Sequence, residues 1–422
     1  MKVLWVTNLP LSEASSLLKI PYQPFASWLE NSSKLLSSQK DIQLSICFPV
    51  QKVIHDYSNL KSNSISYHPF YLNNPTNINS NSLKIISNIL SLVKPDIVHI
   101  HGTEMFHSFL FAKVCSDLNI KFVVSIQGLL SFYEKHLYSG LPISVIYGSS
   151  FRNLLKSDNI FRQRKDFIKK GSIEQKTISL AKYVIGRTTW DLACSKQINP
   201  RIEYYNCNEI LRESFYKEKW SLENCEKYTL FMSQGHYPIK GLHFLLEALT
   251  IVLKSFPNAK LYISGKNIIK NTKFLDRLSI TFYGLYLKKL IKKYNLYNKV
   301  VFLGPLNENE IVKQFLKANI FVIPSSIENS PNSLIEAKAI GLPSIASYVG
   351  GIPDLINHNY DGFLYQHDST YMLAYYINLI FSDEKLAKSI SINSRNNALK
   401  EYNSLDILSN LVNVYIDIIK KQ

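Results

Sequence analysis

The chain has 422 residues, 46% hydrophobic and 12% aromatic, which argues against disorder and suits two or three domains, each with its own core. Lys and Arg outnumber Asp and Glu by 48 to 32, a formal net charge of +16 that points to polyanionic partners: nucleic acid, anionic lipid or phosphorylated substrates. Five cysteines, an odd number with no CxxC pair, argue against a disulfide framework or a zinc site and suit a reduced, cytosolic protein.

The opening MKVLWVTNLPLSE reads as a first strand, its apolar run too short for a signal peptide. No run of about 18 apolar residues predicts a membrane span. Strands are then predicted at 2–6, 42–47, 96–100, 121–126 and 182–186, with helices at 26–38, 81–93, 106–118 and 173–180. A polar, irregular stretch at about 206–227 reads as a linker. The alternation restarts with strands at 228–233, 260–265, 299–304, 319–324 and 343–347. Helices are predicted at 241–255, 284–295, 307–317 and 331–340. Such alternation specifies parallel sheets covered by helices on both faces. Two doubly wound α/β domains are therefore expected, 1–206 and 228–403, facing a cleft, with ligands at the carboxyl ends of the strands.

One stretch asks for more than packing. ENSPNSLIEAKAIGLPSIASYVGGIPDLI begins at Glu328 and holds a loop glutamate, a second at Glu336 inside a helix, and a Gly-Gly pair downstream. Ser330 reads as the helix N-cap with Pro331 at the first helical position; Gly341 and Pro343 end the helix. Glu328 then lies at the ligand edge of the sheet. The backbone N–H groups at 331–333 point to the same edge, where an anion is favoured.

The E-x7-E spacing, the following GLP and the VGGIPDLI run resemble the donor-sugar motif of family 4 glycosyltransferases, which adopt the GT-B fold. GRTTWD (186–191) and NEILRESFY (208–216) are similar to a bacterial subgroup that builds capsule and O-antigen polysaccharide. The resemblance implies that Glu328 hydrogen-bonds donor-sugar hydroxyls. Asn329, Ser330, Asn332, Ser333 and Leu334 would hold sugar and phosphate, and Glu336 the ribose. In QGHYPIKGLHFLLEAL, after the first strand of the second domain, Lys240 matches a family lysine on the pyrophosphate. His236, beside Gly235, stands where relatives carry Arg; Gly265 follows the next strand, near the nucleotide base. Lys240 and Glu328 are the expected catalytic pair, both exposed in an empty cleft.

The first domain departs further from the family. Its Gly-rich phosphate loop has no counterpart except PFASW, with Ala26 and Ser27 in place of glycines. His101 ends a buried strand at the cleft edge, while His99 reads as a core residue. Gln127 stands where many relatives have His; it is no general base, but its amide can donate or accept. Arg187 and Asp191, four apart, either pair across a helix start or leave Arg187 facing the cleft.

The resemblance implies a retaining reaction. A sugar passes from a nucleoside diphosphate donor to a glycan or a polyprenyl-diphosphate-linked saccharide, in surface polysaccharide synthesis. No metal is expected, because no DxD-like pair appears; no other cofactor is expected either. A sugar-nucleotide epimerase or another GT-B enzyme is the alternative, and a non-enzymatic polyanion binder a further one. The binder would account for +16 but leave E-x7-E unexplained, so nucleic acid is not expected as a partner. The segment 151–171, with apolar residues set among seven cations, reads as an interfacial helix on anionic lipid. The expected place is the cytoplasm, peripheral on the inner face of the membrane. The amphipathic segment 404–422 needs a surface to bury its stripe and is expected to return to the first domain.

Overall fold

The computed structural model describes residues 1–21, 27–51, 60, 62, 64–73, 78–269 and 280–421. Its contacts divide the chain into two compact units. The first comprises 1–132, 168–212 and 402–422; the second comprises 133–167 and 213–401.

The first unit is built on a seven-stranded sheet of order β3-β2-β1-β4-β5-β6-β7, parallel throughout. Its strands are β1 (Lys2–Val6), β2 (Gln43–Pro49), β3 (Ile65–Phe70), β4 (Ile97–His101), β5 (Phe122–Ser125), β6 (Tyr183–Gly186) and β7 (Glu203–Asn206). The second unit holds six parallel strands in the order β10-β9-β8-β11-β12-β13. These are β8 (Thr229–Met232), β9 (Lys260–Ser264), β10 (Val300–Gly304), β11 (Ile320–Ile323), β12 (Ser344–Ser347) and β13 (Phe363–Tyr365). Central strands such as VLWV and IFVI are buried on both faces, which is why they read as unbroken apolar runs.

The strand order reverses between β1 and β4 in one unit and between β8 and β11 in the other. Those switch points leave a crevice at the carboxyl ends, where doubly wound sheets bind ligands.

Three strands escape the periodicity: β3, β7 and β13. All lie at sheet edges. β3 contains His68 and Pro69, β7 is half-exposed along most of its length, and β13 has three residues, too few to show a pattern.

The unit boundary also differs from the expected one. Residues 213–227 form no linker: Trp220 is buried, its backbone N–H donates to Ile340 (2.9 Å) and its indole to Ala318 (2.7 Å). Residues 133–167, expected in the first domain, group with the second unit. There the backbone N–H of Phe282 donates to Asn153 Oδ1 at 2.7 Å, and Gly148 packs so closely on the Phe282 ring that a Cβ would lie 2.2 Å from it.

The helix Ser404–Lys420 belongs to the first unit. It buries Ile407, Leu408, Leu411, Val414, Tyr415 and Ile418 there. The Tyr415 hydroxyl accepts from the Trp5 indole at 3.0 Å and bonds His99 Nδ1 at 2.6 Å. Among the described residues no helix is long and apolar enough to cross a membrane.

Candidate functional site

In the second unit the loops leaving β8 and β11 meet, because those strands are hydrogen-bonded neighbours. The β8 loop ends in a 3-10 turn, Pro238–Lys240; the β11 loop carries Ser325 to Ser330. Ser326 N–H donates to the Ile239 carbonyl at 2.9 Å and locks the two loops together. Lys240 Nζ reaches Glu328 Oε1 at 2.6 Å, and the Ser325 hydroxyl donates to the same oxygen at 2.7 Å. Glu328 Oε2 accepts no hydrogen bond among the described residues. The pair is not the exposed one expected: Glu328 is buried, and Lys240 is the partner that reaches solvent.

Glycines make this approach possible. Gly241 holds φ +73°, and a Cβ there would come 1.8 Å from the Pro324 carbonyl oxygen, at the end of β11. Gly350 holds φ +52°, and its Cβ would meet the Glu328 carbonyl oxygen at 1.9 Å. Gly351 N–H donates to that oxygen at 3.0 Å. The Gly-Gly pair is therefore the backing of the Glu328 loop, and only glycine tolerates both the φ and the contact.

The helix behind the loop spans Asn332–Ile340, with Pro331 at the N-cap in extended conformation and no side-chain cap. This corrects the expected Ser330 cap by one position: proline supplies the extended residue, and the Ser330 hydroxyl is left buried without a partner among the described residues. An unmatched buried donor beside a helix N-terminus favours an anion there. Asn329 is buried in the same loop, Ser333 and Leu334 lie in the first turn, and Glu336 is buried further along the helix.

His236 extends the site toward β9. Its Nδ1 is buried without a partner among the described residues, and a Cβ on Gly265, which holds φ +89°, would lie 3.6 Å from that nitrogen. Burial, then the charges of Lys266 and Lys240, push the imidazole down to about 4. It is neutral through the neutral range and offers one N–H. Gly235, just before it, packs on Leu242 and Ile263. We expect His236→Arg to tighten nucleoside diphosphate binding, since a charged donor exceeds a neutral one by about 1 kcal/mol, roughly fivefold in Kd. Calorimetry with UDP checks this; a large loss of affinity would give His236 a contact of its own. In the free wild type His236 gains charge only as pH falls toward its lowered pKa, so above about pH 5 it meets UDP as a neutral donor.

A second constellation stands at the β1/β4 switch of the first unit. A cavity of about 40 Å³ is lined by Trp5, Trp28, His101, Gln127, Arg187 and Glu209, among others. His101 is buried, lies tilted against His99 with ring centroids 3.9 Å apart and meets Trp5 edge-on at 4.7 Å. Among the described residues neither of its ring nitrogens has a partner, and burial pushes its pKa down to about 3. His99 is a core residue, held by Tyr415 and the Ser125 hydroxyl. Arg187 does not pair with Asp191 through its side chain: the guanidinium meets Glu209 Oε2 at 2.9 Å, while Asp191 takes the Arg187 backbone N–H at 3.0 Å. Gln127 donates to the other Glu209 oxygen at 2.9 Å. Glu209 thus ties Arg187 to Gln127, a role that a lone acid in an irregular stretch does not announce. Pro24, Phe25 and Ala26 of PFASW lie outside the described residues, and Ser27 begins the helix Ser27–Ser37.

Residues 213–397, within the second unit, match the family model of glycosyl transferases group 1. An uncharacterised glycosyltransferase of Methanocaldococcus jannaschii is 28% identical over 200 residues, 47% of each chain. The UDP-Gal:alpha-D-GlcNAc-diphosphoundecaprenol alpha-1,3-galactosyltransferase of Escherichia coli is 29% identical over 171 residues, 39% of this chain and 42% of that one. The matched stretch thus spans under half the length of these curated relatives. Sucrose-phosphate synthase of Thermosynechococcus elongatus superposes with a TM-score of 0.71 at 14% identity, covering 99% of this chain and 98% of the other. The fold is the two-domain α/β architecture of GT-B glycosyltransferases.

Proposed function

We propose that the chain is a retaining glycosyltransferase that moves a sugar from a nucleoside diphosphate donor to a saccharide acceptor. One observation carries the reading. At the β8/β11 switch point, a Lys240–Glu328 pair with an open carboxylate oxygen stands in the same loop as the unmatched Ser330 hydroxyl at a helix start. A carboxylate suits vicinal sugar hydroxyls, and a lysine with a helix N-terminus suits a diphosphate.

In this reading Glu328 Oε2 accepts from donor-sugar hydroxyls, and Asn329, Ser330 and the amides through Ser333 hold sugar and phosphate. Leu334 and Gly235 line the donor, Glu336 takes the ribose, and His236 and Gly265 lie toward the nucleotide. The C1–O bond to the diphosphate breaks as the acceptor oxygen bonds C1 on the same face. The departing diphosphate takes the acceptor's proton. Lys240 leaves Glu328 for the growing phosphate charge, which the helix start shares. These groups neutralise the leaving group without a metal. His101, Gln127 and Arg187 are assigned to the acceptor side.

The E. coli relative's name supports a UDP-linked donor and a lipid-diphosphate-linked saccharide acceptor. Surface polysaccharide synthesis at the inner face of the cytoplasmic membrane belongs to the same reading. The test is calorimetry with UDP, followed by a panel of UDP-sugars assayed for slow UDP release without acceptor. Binding and release are expected. A sugar-nucleotide epimerase would isomerise a donor without releasing UDP, and a polyanion binder would take up heparin and ignore UDP; either result would displace the proposal.

A further inference from the structure

The segment 133–167 of the second unit contains a helix turned inside out. In Phe151–Lys156 the polar Asn153 is 3% exposed, its side chain accepting from Phe282 N–H and donating to Asp158 at 2.8 Å. Its neighbours Leu154 and Leu155 are 65% and 72% exposed. Phe151, Leu154 and Leu155 are spaced i, i+3, i+4 and share one face, which is open. The preceding short helix, Ile143–Tyr147, likewise exposes Ile143 and Tyr147. Five large apolar side chains are thus presented within thirteen residues; the helix Ile143–Tyr147 turns Val145 and Ile146 inward, and Phe151–Lys156 turns only Asn153 inward. Packing has no use for this arrangement.

The expected single interfacial helix over 151–171 is not what forms. Ser157, at φ 53°, ends the first helix, and a second runs from Ile160 to Leu180. Ile160 is buried and Phe161 and Phe167 are half-buried. The second helix supplies cations instead: Arg162 and Lys165, spaced i, i+3, are both exposed, as is Lys156 on the first. Nearby acids are answered internally, Asp158 by Arg152 at 2.6 Å and Glu134 by Arg164 at 2.7 Å, which leaves Asp166 as the exposed acid of the segment. Tyr147 lies 5.2 Å from the Phe161 ring, over which Lys165 Nζ rests at 4.6 Å, so the apolar face and the cationic row adjoin.

We infer that Ile143, Tyr147, Phe151, Leu154 and Leu155 form a docking face for an anionic phospholipid bilayer. Apolar side chains enter the acyl boundary while the surrounding lysines and arginines meet the headgroups. A second copy of the chain is a poor occupant, because a two-fold interface would bring these cations against their own copies. The inference deepens the proposed function and rests on it for its purpose: a lipid-linked acceptor is met at the membrane. Its test does not depend on that reading.

The test is co-sedimentation of the full chain with phosphatidylcholine vesicles, with and without phosphatidylglycerol. Wild type is expected to sediment with the anionic vesicles and to be released by salt. Leu154→Ser with Leu155→Ser is expected to weaken partition by at least about tenfold. Arg162→Glu with Lys165→Glu is expected to abolish the preference for phosphatidylglycerol. UDP binding should be the same in all variants, and its loss in wild type would count against the donor reading alone. Wild type that stays in the supernatant at low salt, or a double-serine variant that sediments like wild type, would overturn the inference. A concentration-dependent dimer that the serine substitutions abolish would overturn it too.

Discussion

Glu328→Gln is expected to abolish most transfer with its fold intact, whereas Lys240→Ala is expected to lose both activity and stability. The two partners differ in burial: 8% of the Glu328 side chain is exposed against 26% of Lys240. Gln keeps the acceptor for Ser325 and removes only the charge. The expected loss is about 2.7–4 kcal/mol of transition-state stabilisation, roughly 10²–10³ in kcat, as for other preorganised polar groups. Lys240→Ala loses a comparable amount from the diphosphate side. It also strands a buried carboxylate, a cost of about 3 kcal/mol at the low end for breaking a buried pair. In a unit of this size that lowers Tm by roughly 6–12 °C.

The double variant Lys240→Ala, Glu328→Gln should recover most of that stability but none of the activity, because the stranded charge is gone. Turnover measured as UDP release, with thermal melts of all three variants, checks the set. Near-wild-type turnover in either single variant would sink the donor-site assignment. Equal melting of Lys240→Ala and wild type would mean that the pair carries no structural weight.

What the sequence discloses of this site follows from how local each feature is. Glu328 and Glu336 are legible because Pro and Gly fix the loop and helix around them, so the spacing E-x7-E has a geometric meaning. The Lys240–Glu328 contact is not legible. Its partners lie 88 residues apart, and it depends on β8 lying beside β11 and on Gly241 touching Pro324. The burial of Glu328 comes from the same closeness, which is why an exposed pair was the natural expectation. Glu209 shows the opposite difficulty: nothing in its neighbourhood is periodic, and its partners Gln127 and Arg187 come from the ends of β5 and β6.

The fold shows the same division. Central strands are buried on both faces and stand out as apolar runs, while the edge strands β3, β7 and β13 do not. The segment 151–171 misleads because its composition fits an interfacial helix. One left-handed residue, Ser157, redistributes its faces, so that apolar exposure gathers before the break and cationic exposure after it. Trp220 misleads likewise, being a single aromatic in a charged stretch whose binding slot, between the Ile340 and Ala318 carbonyls, is assembled from distant chain.

Truncation after Tyr402 is expected to give insoluble protein, and the reason lies in the first unit. The helix Ser404–Lys420 contributes six buried side chains to that unit, each worth about 1.5–3 kcal/mol of burial. Their sum matches or exceeds the 5–15 kcal/mol by which a domain of this kind is stable. Polar losses add to it. Without Tyr415 the Trp5 indole and His99 Nδ1 both lose their partner inside the sheet, each a buried group left unmatched at about 1–3 kcal/mol. The Asn410 side chain and Lys421, which bond Asn206 and Glu203 at the β7 edge, go as well.

A milder variant separates packing from the polar contacts. Tyr415→Phe keeps the ring and removes only the hydroxyl, and should remain soluble with a Tm lowered by at least about 4 °C, since two groups at about 1–3 kcal/mol each cost about 2–6 kcal/mol together. Soluble expression and thermal melting of the two variants are the measurements. A truncated chain that stays soluble and binds UDP with wild-type affinity would show that the first unit closes its core without its last helix. That would also make the helix dispensable to the second unit's site.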